Sequence, residues 1–224
     1  MCSLERIGDV YVLRFEGDVD EHRLNPALCE EIMEKLAIVN ASDAGALVTT
    51  NEGKFFSNGL DLAWRDQDPS TRTHAQSVAF NSVLEAFLRV NVPTIAAICG
   101  HAAAGGFILA LAHDHRHMFQ ERGFLYMSEL DVKILIPPKV MSLIRSKLSP
   151  RAFKEVVLKA SKLTASQAKD LEIVDSAHPT PAATLEAALA EASQLASRKW
   201  NKDLYLNMRL TMYPEVVARL EAKL

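Results

Sequence analysis

One order of local signals, met twice, constrains the fold more than anything else in the chain. The run TIAAIC, 94–99, is apolar, of strand length and closed by Gly100; HAAAGGFILALAH follows as a glycine turn into an apolar helix. Earlier, Ala46 to Thr50 reads as a short buried strand between Asp43-Ala44-Gly45 and Asn51-Glu52-Gly53. Phe55-Phe56 then lead to the turn Ser57-Asn58-Gly59, after which an apolar run broken by Asp61 resumes. Strand, glycine turn, apolar segment is the alternation of an α/β fold with crossover helices, and such folds place ligands at the turns.

The remaining elements agree. GDVYVLRFE, 8–16, sets Val10, Val12 and Arg14 against Tyr11, Leu13 and Phe15, a strand pattern. Asn25 as N-cap and Pro26 at the first helical position precede Leu28, Ile32, Met33, Leu36 and Val39 at helical spacing. A polar loop is expected over 65–73, then a helix over about 74–90 with Val78, Leu84, Phe87 and Leu88 near one side, stopped by Asn91-Val92-Pro93. From Pro137 the signals turn helical, near 138–147, 150–160, 165–171 and 181–199 and again after Pro214. The expected organisation is an α/β core over 1–136 and an α-helical region over 137–224.

Each glycine turn can present backbone N–H groups with no bulky side chain beside them. Two such groups aimed at one point make an oxyanion hole, and the second turn adds the positive end of a helix. Taken singly, each turn is equally a strand end or a packing device.

Composition removes several alternatives. With 25 Lys and Arg against 28 Asp and Glu the formal charge is −3, so no basic field invites nucleic acid. The three cysteines, Cys2, Cys29 and Cys99, are scattered without a paired spacing, which suggests neither a disulfide framework nor a zinc site. No window is long and apolar enough for a membrane span, and MCSLERIGDVYVLRFEG lacks the pattern of a secretory leader. The ending Ala222-Lys223-Leu224 is similar to the Ser-Lys-Leu peroxisomal address, or is simply how a helix ends.

Three stretches in order, FFSNGLDL, then PTIAAICGHAAAGGFILALAHD, then YMSELDVKILIP, resemble the crotonase superfamily of enoyl-CoA hydratases and isomerases. The resemblance runs from the first strand to LTASQAKDLEIVDSA, Leu163 to Ala177. Among its branches the FFSNGLDLAW and LYMSELD wording favours the plant peroxisomal Δ3,Δ2-enoyl-CoA isomerases. It implies a spiral of ββα units with an α-helical C-terminal part. It places the oxyanion donors at the backbone N–H of Leu60 and Gly105, and lays the substrate along Ser57, Asn58, Gly59, Leu60, Asp61 and Leu62 on one turn and Gly105 and Gly106 on the other. Asp61 would fix the first turn.

Hydratases of this superfamily use two glutamates. The resemblance puts Ile108 where one would stand and Glu129 where the other stands; Glu121 is the nearest other acid. One shuttling base suffices to isomerise a 3-enoyl-CoA to the trans-2-enoyl-CoA, whereas hydration needs a second group to manage water. The alternatives are a CoA thioester hydrolase or weak hydratase on the same fold, and a non-catalytic CoA-ester binder. Also implied are an acyl-CoA substrate with coenzyme A as part of it, no cofactor and no metal, a homotrimer or dimer of trimers, and peroxisomal import through Ala222-Lys223-Leu224.

Other candidates are weaker. His113, His115 and His117 would share a face if all lay in a strand, and could then hold a metal. His101 either contacts substrate or packs on its turn, while Trp64 and Phe80 line either an acyl pocket or the core. Arg23, Lys54 and Arg65 are candidate partners of the CoA phosphates. Val216, Val217 and Leu220 suit an interface or an internal helix pair.

Overall fold

The computed structural model describes residues 1–17 and 21–221. In chain order it forms β1 (Cys2–Ile7), β2 (Val10–Phe15), α1 (Pro26–Ala41), β3 (Ala46–Asn51), β4 (Phe55–Ser57), α2 (Leu62–Asp66), α3 (Pro69–Leu88), β5 (Thr94–Ile98), β6 (His101–Ala103), α4 (Gly105–Leu111), β7 (His115–Phe119) and β8 (Leu125–Tyr126). There follow α5 (Pro138–Lys147), α6 (Pro150–Val157), α7 (Ala165–Asp170), β9 (Ser176–His178), α8 (Pro181–Ala196), α9 (Lys202–Met212) and α10 (Pro214–Glu221).

The ββα repeat explains why there are two sheets. β3, β5 and β7, the first strands of successive units, enter a six-stranded sheet ordered β1-β2-β3-β5-β7-β9; the second strands, β4, β6 and β8, form a small sheet of their own. Beyond the antiparallel β1–β2 hairpin the pairings between these strands are parallel, and one isolated antiparallel bridge joins Leu125 to Leu163. The central strands β2, β3, β5 and β7 are buried on both faces, as parallel strands are. Leu13, Leu47, Ala96 and Ile98 point into the main core, while Val10, Ala46, Val48, Ile95 and Ala97 point to α8. The α8 side is lined by Ala188, Ala192 and Ala196 at four-residue spacing, so the alanines expected from helix propensity alone also let the helix lie flat on the sheet. A Cβ on Gly45 would lie 2.7 Å from that of Ala196.

Several local expectations are corrected. β1 precedes the strand taken as the first. The polar loop over 65–73 is largely helix: Asp61 caps α2, and α3 starts at Pro69. Val78 lies on the solvent side of α3, whose buried positions are Gln76, Phe80, Val83, Leu84, Phe87 and Leu88. The helical C-terminal part also contains β9, which rejoins the large sheet beside β7, and α9, which periodicity missed. The one buried residue of α9 is Arg209, which donates to both oxygens of Asp114 and to the carbonyls of Val90 and Val92, tying the helix to the strand body. Val216 is buried where α10 packs on α5, so it serves an internal helix pair. The side chain of Leu220 and the ending Ala222-Lys223-Leu224 lie outside the described residues.

Candidate active site

The two glycine turns meet because β4 and β6 are parallel neighbours whose ends point the same way. Their backbones touch so closely that side chains would not fit. A Cβ on Gly100 would stand 2.3 Å from the Lys54 carbonyl oxygen, and one on Gly106 would stand 2.1 Å from that of Ser57. Gly59 adopts φ +79°, a left-handed conformation natural to glycine, with Ala103 O and Gly105 N each 3.0 Å from where a Cβ would be. The Cβ position of Gly105 is in turn 3.4 Å from Leu60 N. The expected donors, Leu60 N–H and Gly105 N–H, are therefore neighbours, and neither gives its hydrogen to any group among the described residues.

Ala104 directs the second donor. It sits at φ 48°, ψ −122°, a conformation that costs a non-glycine residue about 1–3 kcal/mol and is held only where the surroundings enforce it. Here the enforcing contacts are Ala104 N–H on Tyr126 O at 2.7 Å and Ile108 N–H on Ala104 O at 3.0 Å. All seven residues of α4 are buried, which fixes the helix whose first N–H belongs to Gly105.

The first turn is braced from behind. Ser57 Oγ donates to His22 O and accepts from Gly59 N, and Asn58 Nδ2 donates to Glu21 Oε1. Asp61 accepts from Trp64 N at 2.9 Å as the cap of α2 and also from Asn25 Nδ2. Buried Gln76, which sequence reasoning passed over, donates to Leu24 O and Asp61 O and so clamps the turn to α3. Its only signal is a polar residue on the apolar side of that helix.

The turns open into a cavity of about 480 Å³, in the range usual for small-molecule sites. Asn58, Leu60, Leu62 and Gly105 line it, whereas Ser57, Gly59, Asp61 and Gly106, also expected along the substrate, are not among its lining residues. Phe80 and Ile108 lie on its apolar side; Trp64 lies outside it, under the Arg72 guanidinium. Glu129, in the turn after β8, is the one acid among the lining residues, which include no histidine or cysteine. Its Oε2 is buried and has no hydrogen-bond partner among the described residues. Burial pushes its carboxyl above the usual glutamate value, against the downward pull of its own backbone N–H. An unpartnered buried carboxylate oxygen calls for an explanation, and a ligand atom in the cavity supplies one. Glu121 is exposed and away from the cavity.

Arg23 and Arg65 also line the cavity, whereas Lys54 lies elsewhere, over the Phe55 ring. The histidines separate. His113 is buried between Leu109 O and Thr49 Oγ1, where loss of solvent pushes its pKa down to about 3. His115 and His117 point the other way, to Glu191 of α8. The three do not share a face, and the described residues contain no cluster suited to a metal ion. His101 packs between Phe55 and Phe124 outside the cavity. Two further clefts, about 350 and 530 Å³, contain neither turn nor Glu129.

The family model for enoyl-CoA hydratase/isomerase matches residues 8–221. Enoyl-CoA delta isomerase 1, peroxisomal, of Arabidopsis thaliana is 39% identical over 221 residues, covering 97% of this chain and 91% of the relative. Enoyl-CoA delta isomerase 3 of the same plant is 40% identical over 223 residues, covering 96% and 93%. A solved structure of a probable enoyl-CoA hydratase from Mycobacterium tuberculosis superposes with a TM-score of 0.89 at 20% identity, covering 98% of this chain and 91% of that one.

Proposed function

The chain belongs to the enoyl-CoA hydratase/isomerase family, and from that membership we propose that it is an enoyl-CoA isomerase that turns 3-enoyl-CoA, cis or trans, into trans-2-enoyl-CoA. The observation that carries this reading is a single acid, desolvated Glu129, in a cavity with two unengaged backbone donors. Glu129 takes a C2 proton, the negative charge of the dienolate gathers on the thioester oxygen between the N–H groups of Leu60 and Gly105, and the same carboxyl returns the proton at C4. A raised pKa suits a group that must both take and give, since proton transfer is most efficient when base and operating pH are close.

Hydration or thioester hydrolysis would need a further group to position water, and the apolar Ile108 occupies the place expected for it. The proposed shift is redox-neutral and moves one proton, so it requires no cofactor; coenzyme A enters as part of the substrate. Arg23 and Arg65 at the cavity are suited to the CoA phosphates.

Peroxisomal residence and import through Ala222-Lys223-Leu224 rest on that ending and on the peroxisomal name of one of the plant relatives. Assembly as a trimer or dimer of trimers is supported by α9, whose Leu204, Met208 and Met212 form an exposed apolar stripe at four-residue spacing. No helix among the described residues is long and apolar enough to cross a membrane.

The test is the rate of 2-enoyl product from a 3-enoyl-CoA, with wild type beside Glu129→Gln. Turnover that falls by several orders of magnitude in the variant, with acyl-CoA binding retained, is the expected result. No product from the wild type, or an unimpaired variant, refutes the proposal and turns attention to hydrolysis or simple binding.

A further inference from the structure

The turn that carries Glu129 is held by little packing. It runs from buried Met127 to buried Ile136, and between them Leu130, Val132, Ile134 and Leu135 stand exposed instead of entering the core. Its backbone closes only on itself, with Val132 N–H on Ser128 O at 3.0 Å and Ile134 N–H on Glu129 O at 2.9 Å. Among the described residues a single side-chain hydrogen bond ties 128–135 to the rest of the chain: the Tyr126 hydroxyl donates to Asp131 Oδ2. That bond spans the turn, from just before Glu129 to just after it.

Tyr126 is itself fixed on its other sides. It pairs with Ala103 of β6, its carbonyl accepts the Ala104 N–H at 2.7 Å, and the Lys162 ammonium lies 4.8 Å from the centre of its ring. Leu125 beside it exchanges backbone hydrogen bonds with Leu163, each 2.9 Å. One tyrosine thus reaches both halves of the site. Its backbone holds the strained residue before the Gly105 donor, and its hydroxyl holds the turn that bears the base. Neither Tyr126 nor Asp131 lines the cavity.

From this arrangement we propose that Tyr126 and Asp131 are positioning residues for the proton shuttle, their hydrogen bond keeping the Glu129 turn closed and its carboxyl in register with the two backbone donors. The inference rests on the isomerase reading above. A reacting group must be held to a fraction of an ångström, and exposed apolar side chains cannot do that for this turn. Opening the turn also readmits water to the carboxyl, which favours the ionised form and undoes the effect of burial. The charge of Asp131 is a rival cause, because a nearby carboxylate raises a neighbour's pKa as well. The other charges around the turn are Lys133 on it, Lys162 over the Tyr126 ring, and Arg23 and Arg65 at the cavity.

The experiment therefore sets bond against charge. Tyr126→Phe removes the bond but keeps the carboxylate, the ring under Lys162 and the backbone. Asp131→Asn removes the charge but keeps an acceptor for the hydroxyl, and Asp131→Ala removes both. Each variant is assayed for kcat and KM on a 3-enoyl-CoA across the acid limb. Glu129 is also titrated directly by NMR in protein labelled at the glutamate carboxyl carbons, its signal being the one missing from Glu129→Gln. Tyr126→Phe is expected to lose about 10- to 100-fold in kcat, the upper figure being the cost of a displacement on the order of 1 Å, with KM within about twofold of wild type. Its Glu129 titration and its acid limb both move down toward the ordinary 4.5. Asp131→Ala follows it, while Asp131→Asn stays near wild type. Thermal melts show which variants are folded, and the exposure of Asp131 makes substitution there the safer pair.

A folded Tyr126→Phe with the rate and titration of wild type overturns the proposal, as does a fall in kcat that leaves the titration in place. An Asp131→Asn variant as impaired as Tyr126→Phe assigns the effect to charge and overturns it too. The two readings fail separately. A titration that moves as stated in a protein giving no 2-enoyl product keeps the positioning role and removes the isomerase; normal turnover with an unmoved titration does the reverse.

Discussion

Gly106→Ala isolates what the close approach of the two turns contributes to catalysis. No left-handed backbone is involved at this glycine; the objection to a side chain is space. The new methyl carbon would fall 2.1 Å from Ser57 O and 2.7 Å from its carbonyl carbon, and both are backbone atoms that cannot swing aside. Restoring ordinary contact, which begins at 3.4 Å, requires α4 and β4 to part by about 1.3 Å, and a misplacement on the order of 1 Å can cost about 10²-fold in rate. Because α4 carries the Gly105 N–H and β4 leads to Leu60, the parting spreads the two donors. Losing one donor outright costs about 10²–10³-fold, which sets the upper end. Overpacking of this kind also costs about 1–3 kcal/mol, or roughly 2–12 °C in Tm for a chain of this size. The assay is kcat on a 3-enoyl-CoA with a thermal melt of the same sample. Gly105→Ala is the stability control, since its methyl would meet nothing closer than 3.4 Å and its Tm should stay near wild type. A folded Gly106→Ala that keeps kcat within a few fold of wild type would refute the link between turn spacing and rate.

Glu129 must be ionised to act as base and burial raises its pKa, so kcat/KM should fall as pH drops through a midpoint above the ordinary 4.5; an acid limb at or below 4.5 contradicts this. The same shift has a stability consequence. The unfolded chain gives up this proton at lower pH than the folded one, so folding loses stability as pH rises from 4.5 through the raised value. Glu129→Gln should therefore melt higher than wild type at neutral pH and lose that advantage below 4.5. Arg209→Met strands Asp114, which burial alone would push up but which the guanidinium and Lys147 hold down to about 2. Breaking such a buried pair costs about 3–5 kcal/mol, measurable by urea unfolding at pH 7, and a loss under about 1 kcal/mol would remove the anchor role given to α9. In wild type that carboxylate's contribution is present above pH 3.8 and drains away as pH falls toward 2. Asp61→Ala removes the cap on Trp64 N and should cost about 1 kcal/mol in a thermal melt, with an unchanged melt refuting the capping role.

How much of this was legible in the sequence follows from how each part is encoded. The glycine turns were readable because backbone-to-backbone contact between β4 and α4 admits no Cβ, and the chain must announce that with glycine. The helices α5 to α7 were readable to within a few residues because proline, serine or threonine opens each of them. α9 was not, because its inward anchor is a guanidinium while Leu204, Met208 and Met212 face out, the reverse of the pattern that periodicity looks for. β6, β8 and β9 are three residues or fewer, too short to show alternation. Glu129 lies in a turn with no periodic context, and family resemblance alone singled it out. What no local pattern could express is that it would be the single acid facing the two donors, since strands some seventy residues apart are needed to build that cavity.

The unpartnered Oε2 of Glu129 also governs the fate of an isotope. Oε2 has no protein partner through which to trade a proton, so a deuteron that it lifts from the substrate leaves only by exchange with solvent entering the cavity. Substrate deuterated at C2 should thus yield product labelled at C4 even in ordinary water, and the fraction retained measures how long the intermediate lives relative to the opening of the cavity.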